Sequence, residues 1–327
     1  MIFSFEQCSS IINERLARFT VGSRSPVGLY EPIDFVMSSE GKRIRPVLAL
    51  MSCNLFSNDV EDALIPAVAF EVFHNFTLLH DDLMDNADVR RNSPTVHKRW
   101  CANTAILSGD AMMILAFQYI CGSRPALLPA LLELFTNTAL EVCEGQQYDM
   151  DFEKRNNVSI DEYINMIRLK TASLIAACLK AGAICGGASP ENTNLIHKTG
   201  ISLGISFQIQ DDWLDVYGDP EVFGKSTGGD ILSGKKTFLL LAALQKADKM
   251  TGTELTSLLQ DKVMEANEKI ERVKSLYNRL NVSDIAQQAV AQYYQQAMSY
   301  LREIVIPDPS RKNVLELFAE KLLKRRK

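Results

Sequence analysis

The 327-residue sequence predicts an all-α fold, a single large helical bundle formed by residues 1–327 as one domain. Three observations predict it. Long segments repeat apolar residues every three or four positions, and no region alternates apolar with polar residues over a sustained length. Proline, glycine and asparagine cluster between these segments, as they do at helix ends. Apolar residues form 46% of the chain, enough for a large core, and no low-complexity linker divides it.

The predicted helices follow one another along the whole chain. They cover residues 3–19, 45–56, 59–86, 102–120, 126–151, 159–187, 190–217, 233–247, 255–279, 284–304 and 310–324. Most of the breaks between them contain glycine, asparagine or proline, in order Gly22 with Pro26, Asn58, Asn92, Gly122, Asn156, Gly218, Gly252, Asn281 and Pro307. We expect Pro66 to kink or restart the third helix, because proline removes a backbone hydrogen bond. The clearest predicted loop is residues 217–236, which contain five glycines and one proline.

Charge and cysteine usage exclude several classes of protein. The net charge of −5 gives no reason to expect nucleic-acid binding. Seven scattered cysteines without a CxxC pair favour a reducing compartment over a disulfide framework or a zinc site. The first fifteen residues lack the build of a signal peptide, and the apolar stretch 172–188 is too short to span a bilayer and contains Lys180. We therefore expect a cytoplasmic protein that is not an integral membrane protein.

Two acidic segments repeat one pattern. The sequence LHDDLMD at 79–85 returns as IQDDWLD at 209–215, and each places carboxylates at positions i, i+1 and i+4. We call Asp81, Asp82 and Asp85 the first aspartate motif, and Asp211, Asp212 and Asp215 the second. On a helix the three carboxylates of a motif fall within an arc of roughly 100°. Each pair would repel by about 4 kcal/mol near a protein surface, and the dipole at a helix C-terminus adds to the penalty.

Bound cations would relieve this repulsion. A set of oxygen ligands without His or Cys suits Mg²⁺, which typically uses one or two carboxylates together with substrate phosphates. We therefore expect the two motifs to face each other and to hold several Mg²⁺ ions around a polyphosphate. A solvated acidic face explains either motif alone about equally well, but it does not explain why the pattern occurs twice beside cationic residues.

Cationic and polar side chains accompany both motifs. In ideal helical geometry, His74 lies near the middle of the first carboxylate arc and Gln208 near the middle of the second. The stretch GKRIRP places three cations at the start of a predicted helix, where backbone N–H groups also favour anions. The candidate cations and one hydroxyl are, in chain order, Lys42, Arg43, Arg45, Arg90, Arg91, Lys170 with Thr171, Lys225 and Lys235. Each alone is typical of a protein surface, but together they predict sites for two diphosphates.

These segments resemble a known family. GKRIRP, HDDLMDNADVRR, PTVH, LKT, FQIQDDWLD and GKSTGGDILSGKKT are similar, in the same order, to the motifs of the trans-isoprenyl diphosphate synthases, the polyprenyl synthetase family. The resemblance covers about residues 28–240. It implies an all-α fold of the isoprenoid synthase type around a central active-site cavity, a homodimer, and three Mg²⁺ ions per active site with Mn²⁺ as a substitute.

The resemblance also implies a role for each matching residue. Both aspartate motifs would bind Mg²⁺ and the allylic diphosphate, and Lys170 would act with them in catalysis. Isopentenyl diphosphate would be bound by Lys42, Arg45, His74 and Arg91. The allylic substrate would be contacted by Arg90, Lys170, Thr171, Gln208, Lys225 and Lys235. The basic tail LLKRRK is similar to a C-terminus that closes over the diphosphate in some members of the family.

The implied reaction joins isopentenyl diphosphate to an allylic diphosphate and gives a short all-trans prenyl diphosphate. Bulky residues just before the first motif close the product tunnel in this family, and here Phe76 stands fifth before Asp81, with Thr77 and Phe73 beside it. That combination favours a C20 product, geranylgeranyl diphosphate, or otherwise C15, farnesyl diphosphate. An ideal helix, however, places Phe76 nearly opposite the carboxylates.

Two departures from the family pattern affect loops. Glu40 stands where the family commonly has a second glycine before Lys-Arg, and Asn92 follows the paired arginines where glycine is frequent. Neither change removes a charged ligand, and both are expected to alter loop geometry. Two alternative functions remain at this point: a class I terpene cyclase, which needs no second diphosphate site, and a non-catalytic subunit of a heteromeric prenyl synthase.

Overall fold

The fold is known from a computed structural model, which describes residues 1–39, 41–219 and 227–323, and its regular structure is almost entirely helical. The first eight helices are α1 Phe5–Ala17, α2 Val27–Ser38, α3 Ile44–Phe56, α4 Glu61–Met84, α5 Val96–Arg99, α6 Ala102–Cys121, α7 Leu128–Glu153 and α8 Ile160–Ile167. The next eight are α9 Ser173–Cys185, α10 Pro190–Tyr217, α11 Gly229–Ser233, α12 Phe238–Lys246, α13 Lys249–Gln260, α14 Ala266–Arg279, α15 Val282–Glu303 and α16 Lys312–Leu323. A π-helical turn, Arg168–Ala172, joins α8 to α9. The predicted all-α class is confirmed.

Several local features differ from the sequence-based prediction. Helix α2 was not predicted, because proline is unfavourable within a helix and two prolines occur in this segment. Pro26 immediately precedes the helix and Pro32 lies inside it. The predicted helix 255–279 is two helices, since Asp261 accepts hydrogen bonds from the N–H groups of Val263 and Met264 and ends the first. In addition, α4 continues through Pro66 without restarting. A two-stranded antiparallel hairpin, β1 Val89–Arg90 and β2 Ser93–Pro94, also lies between α4 and α5.

Contacts within the chain group it into two compact units. Unit 1 contains Met1–Thr138, Ala177–His197 and Ile304–Leu315, and unit 2 contains Ala139–Ala176, Lys198–Glu303 and the chain from Glu316 onward. Helices α7, α9, α10 and α16 therefore each contribute residues to both units. The first aspartate motif belongs to unit 1 and the second to unit 2.

Within unit 1, α3 and the end of α9 are in close contact. A Cβ atom on Gly182 would lie 1.9 Å from the carbonyl oxygen of Ala49, so only glycine allows this approach. The hydroxyl of the fully buried Ser52 donates to the carbonyl of Leu179 at 2.6 Å and ties the same pair of helices together. This packing fixes the start of α3, where the candidate cations lie.

The connection between α3 and α4 is held by an arginine from the far end of the chain. Arg311 donates from Nη1 to the carbonyl oxygens of Asn54 and Ser57 at 2.7 and 2.9 Å. Its Nη2 donates to the side chain of Asn58. Three oxygens, one at the end of α3 and two in the connection, are thus satisfied by a single guanidinium, which suits the fixed fork of its donors.

Unit 2 has its own apolar core. It gathers α8, α10, α12, α14 and α15, and it includes Ile209, Leu239, Val273 and Tyr277 among its buried residues. Helix α10 lies close against the start of α9, because a Cβ on Gly200 would meet the Cα of Ala176 at 2.4 Å. This contact sets the position of α10, which carries the second motif.

All seven cysteines lie within the described residues and are free thiols. By length and composition alone, α4 and α6 could cross a membrane. In α4, 72% of the apolar window is buried inside the protein, as expected of a core helix, whereas in α6 the figure is 39%.

Candidate active site

The first aspartate motif occupies the last turn of α4. Asp81 and Asp82 lie within the helix, and Asp85 is the residue that caps it, its N–H bonded to the carbonyl of Asp81 at 2.9 Å. Asp82 is almost fully buried, whereas Asp81 is half-buried and Asp85 is exposed. Burial raises the pKa of Asp82, although the neighbouring Arg90 opposes this effect.

The hairpin that follows α4 places the side chain of Arg90 next to the first aspartate motif. Arg90 Nε donates to Asp82 Oδ1 at 2.5 Å, and its Nη2 lies 3.8 Å from Asp81 Oδ2. The hairpin turn consists of Arg91 and Asn92, which have φ angles of 51° and 61°. Asparagine tolerates this left-handed region better than most residues, so Asn92 can form the turn without glycine.

Next to the hairpin, three of the residues predicted for isopentenyl diphosphate come together with Gly41. Arg45 Nη1 lies 2.9 Å from His74 Nε2, and because arginine can only donate, His74 accepts. Burial, and then Arg45, hold the pKa of His74 well below its usual value, so the ring is neutral and carries its proton on Nδ1. A Cβ on Gly41 would lie 3.1 Å from the guanidinium carbon of Arg91, so glycine there admits the arginine.

The three cations of GKRIRP divide into two roles. Arg43, with a φ of 45°, directs its side chain inward, where Nη1 pairs with Glu71 Oε1 at 2.6 Å and Nη2 donates to the carbonyls of Met37 and Ser39. Lys42 is exposed. Arg43 therefore serves the fold, which leaves Lys42 and Arg45 as the candidate ligands of this stretch. Glu40, the neighbouring departure from the family pattern, lies outside the described residues.

The second aspartate motif lies in the last two turns of α10, and its middle residue, Asp212, accepts several hydrogen bonds. Asp212 is almost fully buried, and its Oδ2 accepts from the hydroxyl of Tyr163 and from the N–H of Phe238, the latter at 3.0 Å. Its Oδ1 accepts from Gln208 Nε2 at 3.1 Å. These hydrogen bonds oppose the rise in the pKa of Asp212 that burial causes. The amide of Gln208 in turn accepts from Thr171 at 3.0 Å.

A fourth carboxyl group, that of Asp230, lies beside the three of this motif. The backbone N–H of Asp230, in α11, donates to Asp215 Oδ2 at 3.0 Å. Burial, with the charges of Asp212 and Asp215, raises the pKa of Asp230 to about 7. Negative charge is thus concentrated here to a degree that a divalent cation would relieve.

The π-helical turn presents Lys170 and Thr171 to the same place. It lies against two glycines: a Cβ on Gly145 would meet the backbone nitrogen of Lys170 at 2.3 Å, and one on Gly204 would meet the Cα of Ala172 at 2.5 Å. Turns of this kind occur frequently at functional sites. A pocket of about 90 Å³ in unit 2 is lined by Lys170, Thr171, Gln208, Asp212, Asp230 and Lys235, among others.

Three residues around this pocket were missed by sequence reasoning. Asp149 of α7 pairs with Lys170, its Oδ2 lying 2.7 Å from Nζ, and the other two are Asp230 and Tyr163. Asp230 lies in the predicted glycine-rich loop and could have been noticed there, but nothing in the sequence pairs Tyr163 with Asp212. Lys225, predicted for the allylic substrate, lies outside the described residues.

The donor set fits a hard divalent cation. Within the described ranges, no three His, Cys, Asp or Glu side chains are gathered closely enough to hold a metal ion by themselves. Mg²⁺ typically takes one or two carboxylates from the protein and completes its shell with water and substrate phosphates. The carboxylates of each motif would serve as ligands for such ions, and beside the second motif the raised pKa of Asp230 marks negative charge that a cation would balance.

The family model for polyprenyl synthetases matches residues 26–280. The chain belongs to the polyprenyl synthetase family. This polyprenyl synthetase is 34% identical over 319 residues to the short chain isoprenyl diphosphate synthase of Methanothermobacter thermautotrophicus, a match that covers 97% of this chain and 96% of that one. The family identifies it as a prenyltransferase enzyme, and these similarities give no support to a terpene cyclase or a non-catalytic subunit.

Solved structures agree with this assignment. The fold of this polyprenyl synthetase matches that of a geranylgeranyl pyrophosphate synthase with a TM-score of 0.94 and 41% identity, covering 98% and 99% of the two chains. It matches the geranylgeranyl pyrophosphate synthase of Corynebacterium glutamicum with a TM-score of 0.88 and 26% identity, over 99% and 100% of the chains. That structure is a complex with isoprenyl diphosphate and magnesium, in line with the use of a divalent metal by the family.

Proposed function

We propose that the protein condenses isopentenyl diphosphate with an allylic diphosphate and makes a short all-trans prenyl diphosphate, with C20 geranylgeranyl diphosphate as the main product. One observation carries the proposal. In unit 2, Lys170, Thr171, Gln208 and Lys235 come from three separate segments and line one pocket beside Asp212. Such a pocket supplies positive charge and hydrogen bonds for a diphosphate next to a carboxylate site for metal.

The chemistry requires no protein nucleophile. The C–O bond of the allylic diphosphate breaks, and its electron pair leaves with the diphosphate. The double bond of isopentenyl diphosphate supplies the pair for the new C–C bond, and the proton then lost passes to the released diphosphate. When bound, three Mg²⁺ ions, or Mn²⁺ in their place, would neutralise the charge of that leaving group.

The residues of the chain position and stabilise the reactants. Lys170, Lys235 and Gln208 would donate to the allylic diphosphate. Arg45, held by the neutral ring of His74, would bind isopentenyl diphosphate with Lys42 and Arg91. Apolar side chains would keep water away from the allylic cation.

One assay tests this function. The purified protein is incubated with Mg²⁺, isopentenyl diphosphate and each allylic diphosphate of increasing length, and the dephosphorylated products are separated by chromatography. We expect chain growth only when both substrates are present. Absence of both chain growth and diphosphate release would refute the synthase function, and diphosphate release without isopentenyl diphosphate would instead indicate a cyclase.

We propose that an aromatic cluster in unit 1 limits the product to C20. Phe76 packs on Phe73 with ring centroids 5.5 Å apart, and Phe73 meets Phe135 at the same distance. Phe76 also stacks edge-on against His80, whose Nε2 lies 3.2 Å from the carbonyl of Ile106 in α6. The side of α4 that faces α6 is therefore filled with rings. Thr77, whose hydroxyl bonds to its own helix, adds no comparable bulk.

Replacing Phe76 with alanine is expected to lengthen the product by at least one five-carbon unit, because it opens space in this cluster. The measurement is the distribution of product lengths from the same assay. Phe76→Tyr keeps the ring and should leave that distribution unchanged. An unchanged distribution for Phe76→Ala would show that the tunnel ends elsewhere.

We also propose that the protein is a cytoplasmic homodimer whose subunits meet through α6. The seven free thiols favour a reducing compartment. Ile106, Leu107 and Ile114 of α6 are each about half exposed or more, which is uncommon for large apolar side chains grouped on one helix. The exposed Asp110 lies among them, which favours a protein partner over lipid.

Ile114→Glu is expected to weaken the dimer about tenfold or more, because a charge would be buried in the contact. Light scattering over a dilution series measures the change in mass. Met250→Glu, at an exposed apolar position in α13, is the matched control and should leave assembly unchanged. Equal behaviour of the two variants would remove α6 from the interface.

A further inference from the structure

We infer that Asp149 is a positioning residue that holds Lys170 and Lys235 in place for the diphosphate of the allylic substrate, an inference that rests on the prenyl transfer proposed above. Asp149 Oδ2 lies 2.7 Å from Lys170 Nζ and 3.7 Å from Lys235 Nζ. One carboxylate oxygen therefore serves two lysines that belong to different segments, the π-helical turn and the chain after α11. The carboxylate is only 13% exposed, so water screens these interactions weakly.

The backbone explains why Asp149 lies there. Gly145 precedes it by one turn of α7, and its missing side chain lets the backbone of Lys170 approach closely. The next turn of the same helix then places the carboxylate under the ammonium group of Lys170. Gly145 and Asp149 thus act together. The glycine allows α7 to lie close to the π-helical turn, and at that separation the carboxylate of Asp149 reaches the ammonium group of Lys170.

The interaction suits positioning because of the chemistry of lysine. Its four-carbon stem is flexible and loses rotamer entropy when a substrate orders it. A carboxylate that orders the stem beforehand removes this penalty from substrate binding. An ammonium group has three N–H donors, so a lysine bound to Asp149 can still donate to a phosphate oxygen.

Asp151, two residues later on α7, provides a contrast. It is exposed, and its carboxylate accepts from Gln147, four residues earlier on the same helix, at 2.8 Å. If the role of Asp149 were only to add negative charge to the surface of α7, Asp151 would fill that role equally well. Asp149 differs because its oxygen reaches two cations of the substrate pocket.

The test compares Asp149→Asn with the matched control Asp151→Asn, which makes the same change on the same helix. In steady-state assays with Mg²⁺, Asp149→Asn is expected to lower kcat/KM for the allylic diphosphate by ~10²-fold, the order expected when a contact group is misplaced by about 1 Å. The KM for isopentenyl diphosphate and the melting temperature should stay near the wild-type values. Asp149→Glu, which keeps the charge, should recover part of the loss, and Asp151→Asn should behave as wild type.

A double-variant cycle identifies the route of the effect. In a Lys170→Gln background, Asp149→Asn should cost clearly less than it does in the wild type, because the part of its action that passes through Lys170 is gone and only the longer contact with Lys235 remains. Fully multiplicative losses would overturn the inference, and so would a lowered KM for the allylic diphosphate, which would mean that Asp149 competes with substrate. A variant that is only less stable, with normal kinetics, would make Asp149 structural. Turnover by the wild type separates each of these outcomes from a failure of the proposed function.

Discussion

Asp81→Asn is expected to lower kcat by about 10³-fold, the largest effect predicted for any single substitution. An amide cannot balance the charge of a divalent cation, and metal stabilisation of a leaving group contributes several kcal/mol, with each 1.36 kcal/mol equal to a factor of ten. Asp81 is chosen over Asp82 because Asp82 is buried and its Oδ1 already accepts from Arg90 at 2.5 Å. Initial rates over a Mg²⁺ titration give the measurement.

Two further features of this experiment make it specific. The Mg²⁺ concentration for half-maximal activity should rise in Asp81→Asn, which a purely structural defect would not cause. Asp88→Asn is the matched control, because Asp88 follows the motif, is 80% exposed and pairs with Lys98 at 2.9 Å. A rate for Asp81→Asn within tenfold of the wild type, with unchanged Mg²⁺ dependence, would contradict a role in metal binding.

Glu71→Leu is expected to lower the free energy of unfolding by about 3–5 kcal/mol, the second largest effect. Glu71 and Arg43 have only 2% and 8% of their side chains exposed and lie 2.6 Å apart. Removing one partner leaves the other charge buried without compensation. The amide of Asn75, which donates to Glu71 Oε1 at 3.1 Å, would lose that acceptor as well.

Denaturant-induced unfolding at neutral pH measures this loss. Glu61→Gln, in the exposed first turn of the same helix, is the control and should change stability by less than about 1 kcal/mol. The double variant Arg43→Met with Glu71→Leu should recover most of the stability, since replacing both charges by apolar groups is often close to neutral. If Glu71→Leu matched its control, the pair would have no important part in the fold.

The sequence predicted regular helices well wherever apolar spacing and clear breaks coincided, as in α3 and α10. It did not predict α2, because proline usually ends a helix, whereas Pro32 lies buried inside this one. The π-helical turn was hidden for another reason. It packs against Gly145, which lies in a different helix, and a local pattern carries no information about that contact.

In the candidate site, too, residues within short motifs could be predicted from the sequence, whereas contacts between distant parts of the chain could not. The aspartate motifs and the cations beside them could be found because each is a short run of residues. Arg43 could not be separated from Lys42 and Arg45, because its inward direction depends on Glu71, which is 28 residues away. Asp149 was missed because its partners, Lys170 and Lys235, lie far along the chain and become its neighbours only in the folded protein.

The π-helical turn Arg168–Ala172 amounts to one residue inserted into an otherwise ordinary helix. Deletion of one residue there would allow ordinary α-helical hydrogen bonds, from N–H of residue i to C=O of residue i−4, to continue from α8 into α9. It would also rotate the preceding turns by about 100° relative to those that follow, and so swing Lys170 away from Asp149. A deletion that improves the local backbone would then impair the enzyme, so the irregularity is expected to persist wherever the activity is under selection.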